Sequence, residues 1–258
     1  MIRQLRSGAA GMQAQSFKVD SIANNIANIN TDGFKKRDVS FRDLVYQAVS
    51  GPGNPVVPGR DNGIQAGAGT RAEATVNFSQ GALKQTGIDL DFAIEGEGFF
   101  RLLLPDGREV YTRTGAFRRD GEGNLVTVQG YGTDLLEGKP PEAAEFTLDA
   151  TGQVQYFDQE GNPAGEGTAV IYRFRNPAGL ENLGNNMYAV TANSGEPESG
   201  KPGEEGFGLL RQGALESSNV NLVEEMTQLI MAQRAYELSS RTVRTADEMW
   251  AMANQIRR

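Results

Sequence analysis

The chain has 258 residues, 38% of them hydrophobic, enough for one large domain or two modest ones with a buried core. A formal net charge of −8 argues against nucleic acid as the main partner, because no basic field offsets the acidic surface. The absence of cysteine excludes disulfides and thiolate chemistry, and the absence of histidine removes the commonest general base and metal ligand, so composition leans away from an enzyme.

From the N-terminus, Ile2, Ala9, Ser16 and Ala23 recur every seven residues, and so do Leu5, Met12, Val19 and Ile26. That period predicts a helix over Ile2–Ile29. Gly8 and Gly11 each weaken it by about 1 kcal/mol relative to Ala, so the prediction rests on pattern rather than propensity. No apolar run here is long enough for a secretory signal, and no segment approaches the ~20 apolar residues of a membrane span. Asn24, Asn25, Asn28 and Asn30 crowd the helix end, Asp32-Gly33 is a stop, and Phe34 is expected to pack back. Lys35, Lys36 and Arg37 read as a solvated basic cluster in preference to an anion site.

Phe41, Leu44, Val45 and Val49 have helical spacing and predict a short helix over Ser40–Val49. Gly51–Gly69, with Pro52, Pro55 and Pro58, is a loop or extended linker by composition. Beyond Arg71 the period falls to two. Strands are expected at Ala74–Phe78, Leu90–Ile94, Gly98–Leu104, Val110–Arg113, Leu125–Val128, Phe146–Leu148, Val154–Phe157, Val170–Phe174 and Met187–Val190. Turns at Pro105-Asp106-Gly107, Asp120–Asn124, Thr151-Gly152 and Glu160–Asn162 separate them. Gly195–Gly208 reads as a second Gly/Pro/Glu-rich linker.

Leu222, Leu229, Tyr236, Val243 and Trp250 then recur every seven residues, widened by Met226 and Ile230 and flanked by a small row, Ala232, Ser239, Ala246 and Ala253. Asn221 is the expected N-cap, with Glu224 completing a capping box. The fold class is therefore α+β: long terminal helices pairing as a coiled coil, with a mainly antiparallel β domain inserted between them. The expected divisions are 1–49 helical, 50–70 linker, 71–195 β domain, 196–221 linker and 222–258 helix. Two amphipathic helices on an ordinary core are the alternative the pattern leaves open.

Candidate chemistry is sparse. Gly96-Glu97-Gly98 lacks the third glycine of a dinucleotide loop, Arg101 standing in its place. Asp120–Asn124 resembles the start of a calcium loop, but Leu125 and Tyr131 stand where glycine and glutamate are needed. Asp89, Asp91, Glu95 and Glu97 could suggest a glycan hydrolase, yet at period two they all point one way, as a solvated strand face would. No catalytic, cofactor or metal residue is assigned.

Longer motifs carry more. Ser21–Lys35 closely resembles the N-terminal signature of bacterial flagellar axial proteins, the rod and hook proteins. Leu90–Phe100 and Tyr111–Phe117 resemble their central motif, and Leu215–Asn221 with Gln233–Glu237 their C-terminal one. Asn24, Asn25, Asn28, Gly33, Phe34, Gly96, Gly98, Phe99, Phe100, Ser218, Asn219, Val220 and Asn221 lie in these motifs. The pattern is most similar to the distal-rod type, and departs from it mainly over Lys139–Gly206. The resemblance implies a structural subunit of a helical tube that transmits torque as a drive shaft. It implies an assembly seam through Ile2, Leu5, Met12, Val19, Ile26, Leu222, Met226, Leu229, Tyr236, Val243 and Trp250. It also implies partners among rod and hook proteins, export by the flagellar type III apparatus with an uncleaved N-terminus, and a place in the basal body outside the cytoplasm. A smaller rod subunit, a hook protein or a Gram-positive hook–basal-body paralogue are the near alternatives; a cell-wall glycan hydrolase or an adhesin are remote ones.

Overall fold

Residues 222–256 contain neither glycine nor proline and form a 35-residue helix. Asn221 caps it, its Oδ1 accepting from the Val223 and Glu224 amides at 3.1 and 3.4 Å, and Glu224 and Glu225 place negative charge in the first turn. The computed structural model describes residues 2–43, 47–49, 64–66, 70–121, 123–137, 145–158, 162–204 and 206–256. Among these, no helix is long and apolar enough to cross a membrane. Two helices and mainly antiparallel sheets make the fold α+β.

The chain divides into two units, one of 1–27, 37–75 and 221–258, the other of 28–36 and 76–220. The first holds α1 (Ile2–Ala27), β1 (Arg37–Asp43), β2 (Gln47–Val49), β3 (Ile64–Ala66), β4 (Thr70–Val76) and α2 (Leu222–Ile256). The two helices pack along each other, β1 packs on α1, β1 pairs with β4 and β2 with β3. Apart from Ile22, the buried side chains described on the helices are small or polar: Ala14, Ser21 and Asn25 on α1, and Glu225, Ala232 and Ala246 on α2. The glycines that weaken α1 sit where it meets α2. A Cβ at Gly8 would stand 2.8 Å from Val243 Cγ2, and one at Gly11 3.7 Å from Ser239 Oγ.

The short helix expected over Ser40–Val49 does not form where the chain is described; β1 and β2 occupy it, with Leu44 and Val45 outside the described residues. Helical spacing in so short a run yields to the ladder with β4, a tertiary choice the pattern cannot see. Most of the linker expected over 50–70 also lies outside the described residues.

The second unit holds β5 (Leu83–Gln85), β6 (Phe92–Glu95), β7 (Phe100–Leu103), β8 (Glu109–Thr112), β9 (Phe117–Arg119), β10 (Leu125–Thr127), β11 (Gly132–Thr133), β12 (Leu136–Glu137), β13 (Glu145–Leu148), β14 (Gln153–Phe157), β15 (Pro163–Ala169), β16 (Ile171–Arg173), β17 (Glu181–Gly184), β18 (Met187–Ala189), β19 (Glu198–Gly200), β20 (Leu209–Gln212) and β21 (Ala214–Glu216). A seven-stranded antiparallel sheet runs β17-β18-β8-β7-β11-β10-β9, and a four-stranded one β12-β15-β14-β13. Because strand residues alternate faces, the neighbours Phe99 and Phe100 enter different cores. Phe100 joins Phe92, Leu102, Val110, Phe117 and Tyr156; Phe99 joins Tyr111, Tyr172, Phe174 and Tyr188.

Expected turns form at Gly107, whose amide bonds Leu104 O, and at Asp120–Asn124, where Asp120 Oδ1 takes the Asn124 amide at 2.7 Å in a hairpin turn. The turn expected at Glu160–Asn162 lies largely outside the described residues. Where composition reads a linker over 196–221, the chain forms β19, β20 and β21; β20 pairs with β6 and β21 with β5.

Candidate assembly surface

The motif stretches converge on buried polar contacts within each unit. In the helical unit, Asn25 is 1% exposed and bonds both ways to Arg37: its amide nitrogen donates to Arg37 O at 3.0 Å and its oxygen accepts from Arg37 N at 2.9 Å. The same nitrogen donates to Glu225 Oε2 at 3.1 Å. Asn25 therefore holds the strand that follows α1 and the first turn of α2 at once. Asn24 is exposed at the end of α1, while Asn28 O and Oδ1 accept from the Thr31 amide and hydroxyl as the helix closes.

In the β-rich unit, Gly33 takes φ +69° and its amide donates to Glu216 O at 2.7 Å; a Cβ there would stand 2.7 Å from the Thr114 amide. Phe34 packs back and is buried. Lys35 is not solvated. Its Nζ donates to Glu216 Oε1 at 2.6 Å and to Ser79 O at 2.8 Å, and both charged side chains are 1% exposed. The expected solvated cluster is corrected here: Lys35 leaves its basic neighbours because a carboxylate 181 residues away is fixed beside it. Burial holds the Lys35 ammonium below its usual range; Glu216 opposes that and Arg113 adds to it.

Arg113 completes the cluster. Its Nη1 lies 3.6 Å from Glu216 Oε2, its Nη2 donates to Gly96 O at 2.7 Å, and its guanidinium lies 5.4 Å from the Phe99 ring centre. Burial lowers its pKa. The N-terminal, central and C-terminal motifs thus each contribute one charge: Lys35, Arg113 and Glu216. Asn219 adds neutral ties, accepting from the Lys36 amide at 2.8 Å and donating to Asn77 O and Ser79 O. Ser218 Oγ accepts from the Val220 amide, and Val220 is buried. Gly98 is buried with φ +152°, its Cβ position 3.1 Å from Ile171 Cδ1.

The carboxylate run does not share one face. Asp91 is buried and accepts the Thr86 hydroxyl at 2.6 Å, Glu95 pairs with Arg211 at 2.5 Å, and Asp89 and Glu97 are exposed. The regular period fails because β6 spans only Phe92–Glu95: Asp89 and Asp91 precede it, and Gly96 turns with φ +111° before Glu97.

The seam residues read from the heptads fall in different environments. Leu229 and Val243 are half-buried, as are Met12, Val19 and Ile26, while Leu222, Met226 and Tyr236 are exposed. The side chains of Ile2, Leu5 and Trp250 lie outside the described residues. The small row, not the large one, lies innermost on α2. Pattern reading caught only Ile230 of a second apolar face. Val223 is 75% exposed and Leu238 62%, with Ile230, Met231, Met249 and Met252 exposed as well. At about 100° per residue Val223, Ile230 and Met252 lie on the side of α2 away from Ala232 and Ala246, with Leu238, Met231 and Met249 on the flank between the two sides. The signal was present as the spacing of Met231, Leu238 and Met252, masked by the stronger heptads beside it.

The chain matches three family models: flagella basal body rod protein over 5–35, flagellar hook protein FlgE/F/G D1 domain over 93–156, and flagellar basal body rod FlgEFG protein C-terminal over 211–256. Over the full length of both chains it is 44% identical to the flagellar basal-body rod protein FlgG of Borreliella burgdorferi. It is 40% identical to that of Bacillus subtilis, covering 96% of this chain and 97% of the relative. The flagellar hook-basal body complex protein FlhP of Bacillus subtilis matches over both full lengths at 28%.

Proposed function

This chain belongs to the FlgG family of flagellar basal-body rod proteins and is a structural, non-enzymatic part of that rod; on this premise we propose that it builds the distal rod by self-assembly into a helical tube. The tube acts as a drive shaft that carries torque to the hook. In it α1 and α2 pair as a coiled coil, and the outer face of α2 meets neighbouring copies. Adjacent rod and hook proteins join its ends. The subunit leaves the cytoplasm through the flagellar type III apparatus with its N-terminus uncleaved, and works in the periplasm or cell-wall region.

The observation that carries the assembly reading is the second apolar face. One amphipathic helix needs one apolar stripe to join its own fold; α2 has spent that stripe on α1 and still exposes Leu222, Val223, Met226, Ile230 and Leu238. A head-to-tail contact that does not close into a ring generates a helical tube. The higher identity to FlgG proteins than to FlhP supports the distal-rod reading over a paralogue.

The test is Leu238→Asp in the full chain. The side chain is solvent-exposed in the subunit, so its stability stays within about 0.5 kcal/mol of wild type in urea denaturation. Polymers by electron microscopy, and motility when the variant replaces the wild type, are lost. Wild-type polymers from Leu238→Asp would overturn the assignment of this face.

A further inference from the structure

We propose that Met226, Met231, Met249 and Met252 form an oxidation-sensitive patch on α2, where a peroxide converts thioether to sulfoxide and blocks assembly of the free subunit. The inference rests on the assembly reading above and adds a chemical control to it.

Four of the chain's seven methionines lie on this one helix, each about half exposed. By contrast, Met187 packs against the larger core of the β-rich unit. With no cysteine in the chain, thioether is its only sulfur, so a peroxide finds no competing thiol. The patch is also selective in placement. Met231 and Met249 fall at the same angle around α2, on the flank of the Ala232–Ala246 row, with Met252 about 60° and Met226 about 140° from them, both well away from that row.

The step balances simply. A sulfur lone pair attacks one oxygen of hydrogen peroxide, an S–O bond forms as the O–O bond breaks, and the departing hydroxide takes up the remaining proton as water. Sulfur is oxidised by two electrons and the peroxide is reduced. The product is a polar sulfoxide where an adaptable apolar side chain stood. On an exposed face it stays solvated, so the subunit keeps its fold. Burying it against a neighbour leaves its oxygen without water, so contact is opposed. Once assembled, the same methionines are covered and protected.

The experiment treats purified full-length protein with millimolar hydrogen peroxide, maps sulfoxides by peptide mass spectrometry, and measures the critical concentration for polymer formation. The four α2 methionines are expected to oxidise before Met187, with unchanged far-ultraviolet circular dichroism and a critical concentration raised by about tenfold or more. Methionine sulfoxide reductase with a dithiol reverses the rise. In a variant carrying Met226→Leu, Met231→Leu, Met249→Leu and Met252→Leu, peroxide leaves the variant's own critical concentration where it was. Normal assembly by protein oxidised at all four positions overturns the inference and leaves the assembly reading standing. So does inhibition of the leucine variant to the same degree, or oxidation of Met187 first. Failure of untreated protein to polymerise at any concentration overturns the assembly reading and this inference with it.

Discussion

The two units bury apolar surface in opposite ways. The β-rich unit puts its large rings inside, with Phe99 against Phe174 at 5.5 Å and Tyr111 against Phe174 at 4.8 Å, both edge to face. The helical unit puts alanine, serine and glycine at its centre and leaves Val223, Ile230, Leu238 and the four methionines of α2 in solvent. The first arrangement is complete in one subunit. In the assembly we propose, the second gains its remaining burial from neighbouring copies. A rod subunit needs both, a finished body to be carried and an unfinished surface to be joined.

The largest expected effect breaks the finished side of that comparison. Glu216→Ala leaves Lys35 and Arg113 buried without their carboxylate, and is expected to cost about 3–5 kcal/mol in urea denaturation followed by near-ultraviolet circular dichroism. Replacing all three charges together, Lys35→Met, Arg113→Met and Glu216→Leu, recovers most of that loss, because the isolated charge rather than the missing pair carries the cost. A triple variant as unstable as the single one would give the cluster's hydrogen bonds the larger share.

Alkaline pH acts on the same unit. Burial pushes the Tyr111 phenol up to about 12, with the Glu109 carboxylate adding to it, and burial alone pushes Tyr156 up to about 12. A phenol raised above its unfolded value of about 10 favours the protonated form in the folded state. That stability is fully present below about pH 10 and is lost as pH rises through about 12. Tyrosinate absorbance should therefore develop late and together with loss of near-ultraviolet signal. Tyr156→Phe is expected to flatten the alkaline decline; an unchanged slope would assign it to other groups.

How much of this was legible in sequence depended on the reach of each contact. The cap at Asn221 and the hairpin turn at Asp120–Asn124 are local, and their residues announced them. The alternation that sends Phe99 and Phe100 to separate cores is local too. Burial of Lys35 was not legible, because composition near it is basic and polar while its partner lies 181 residues on. Strands β20 and β21 were hidden for the same reason: each is short, sits among glycines, and pairs with β6 or β5 far earlier in the chain. On α2 the difficulty was competition. Three apolar tracks share one helix, and period alone does not say which of them meets α1.

A smaller effect probes the unfinished side. Gly8→Leu forces a side chain into the space held by Val243 and should destabilise the helix pair by about 1–3 kcal/mol. The single tryptophan, Trp250, belongs to α2, so its fluorescence reports this unit, whereas the buried tyrosines report the other. The tryptophan midpoint is expected to fall. An unmoved midpoint would mean that the close approach at Gly8 does not hold the pair.

The smallest effect is at the helix start. Asn221→Ala removes the oxygen that accepts from the Val223 and Glu224 amides, and should cost about 1 kcal/mol, seen as a lower urea midpoint of tryptophan fluorescence. Asn221→Asp keeps the acceptor and adds negative charge at the helix N-terminus, so it should recover the midpoint in low salt. The pair of variants separates two causes. If neither falls, the helix start is held by the buried Asn25–Glu225 contact in the same first turn, and the cap is redundant to it. If only alanine falls, the cap sets where α2 begins. Because each residue of shift turns the helix by about 100°, the cap would then also set which apolar residues face outward.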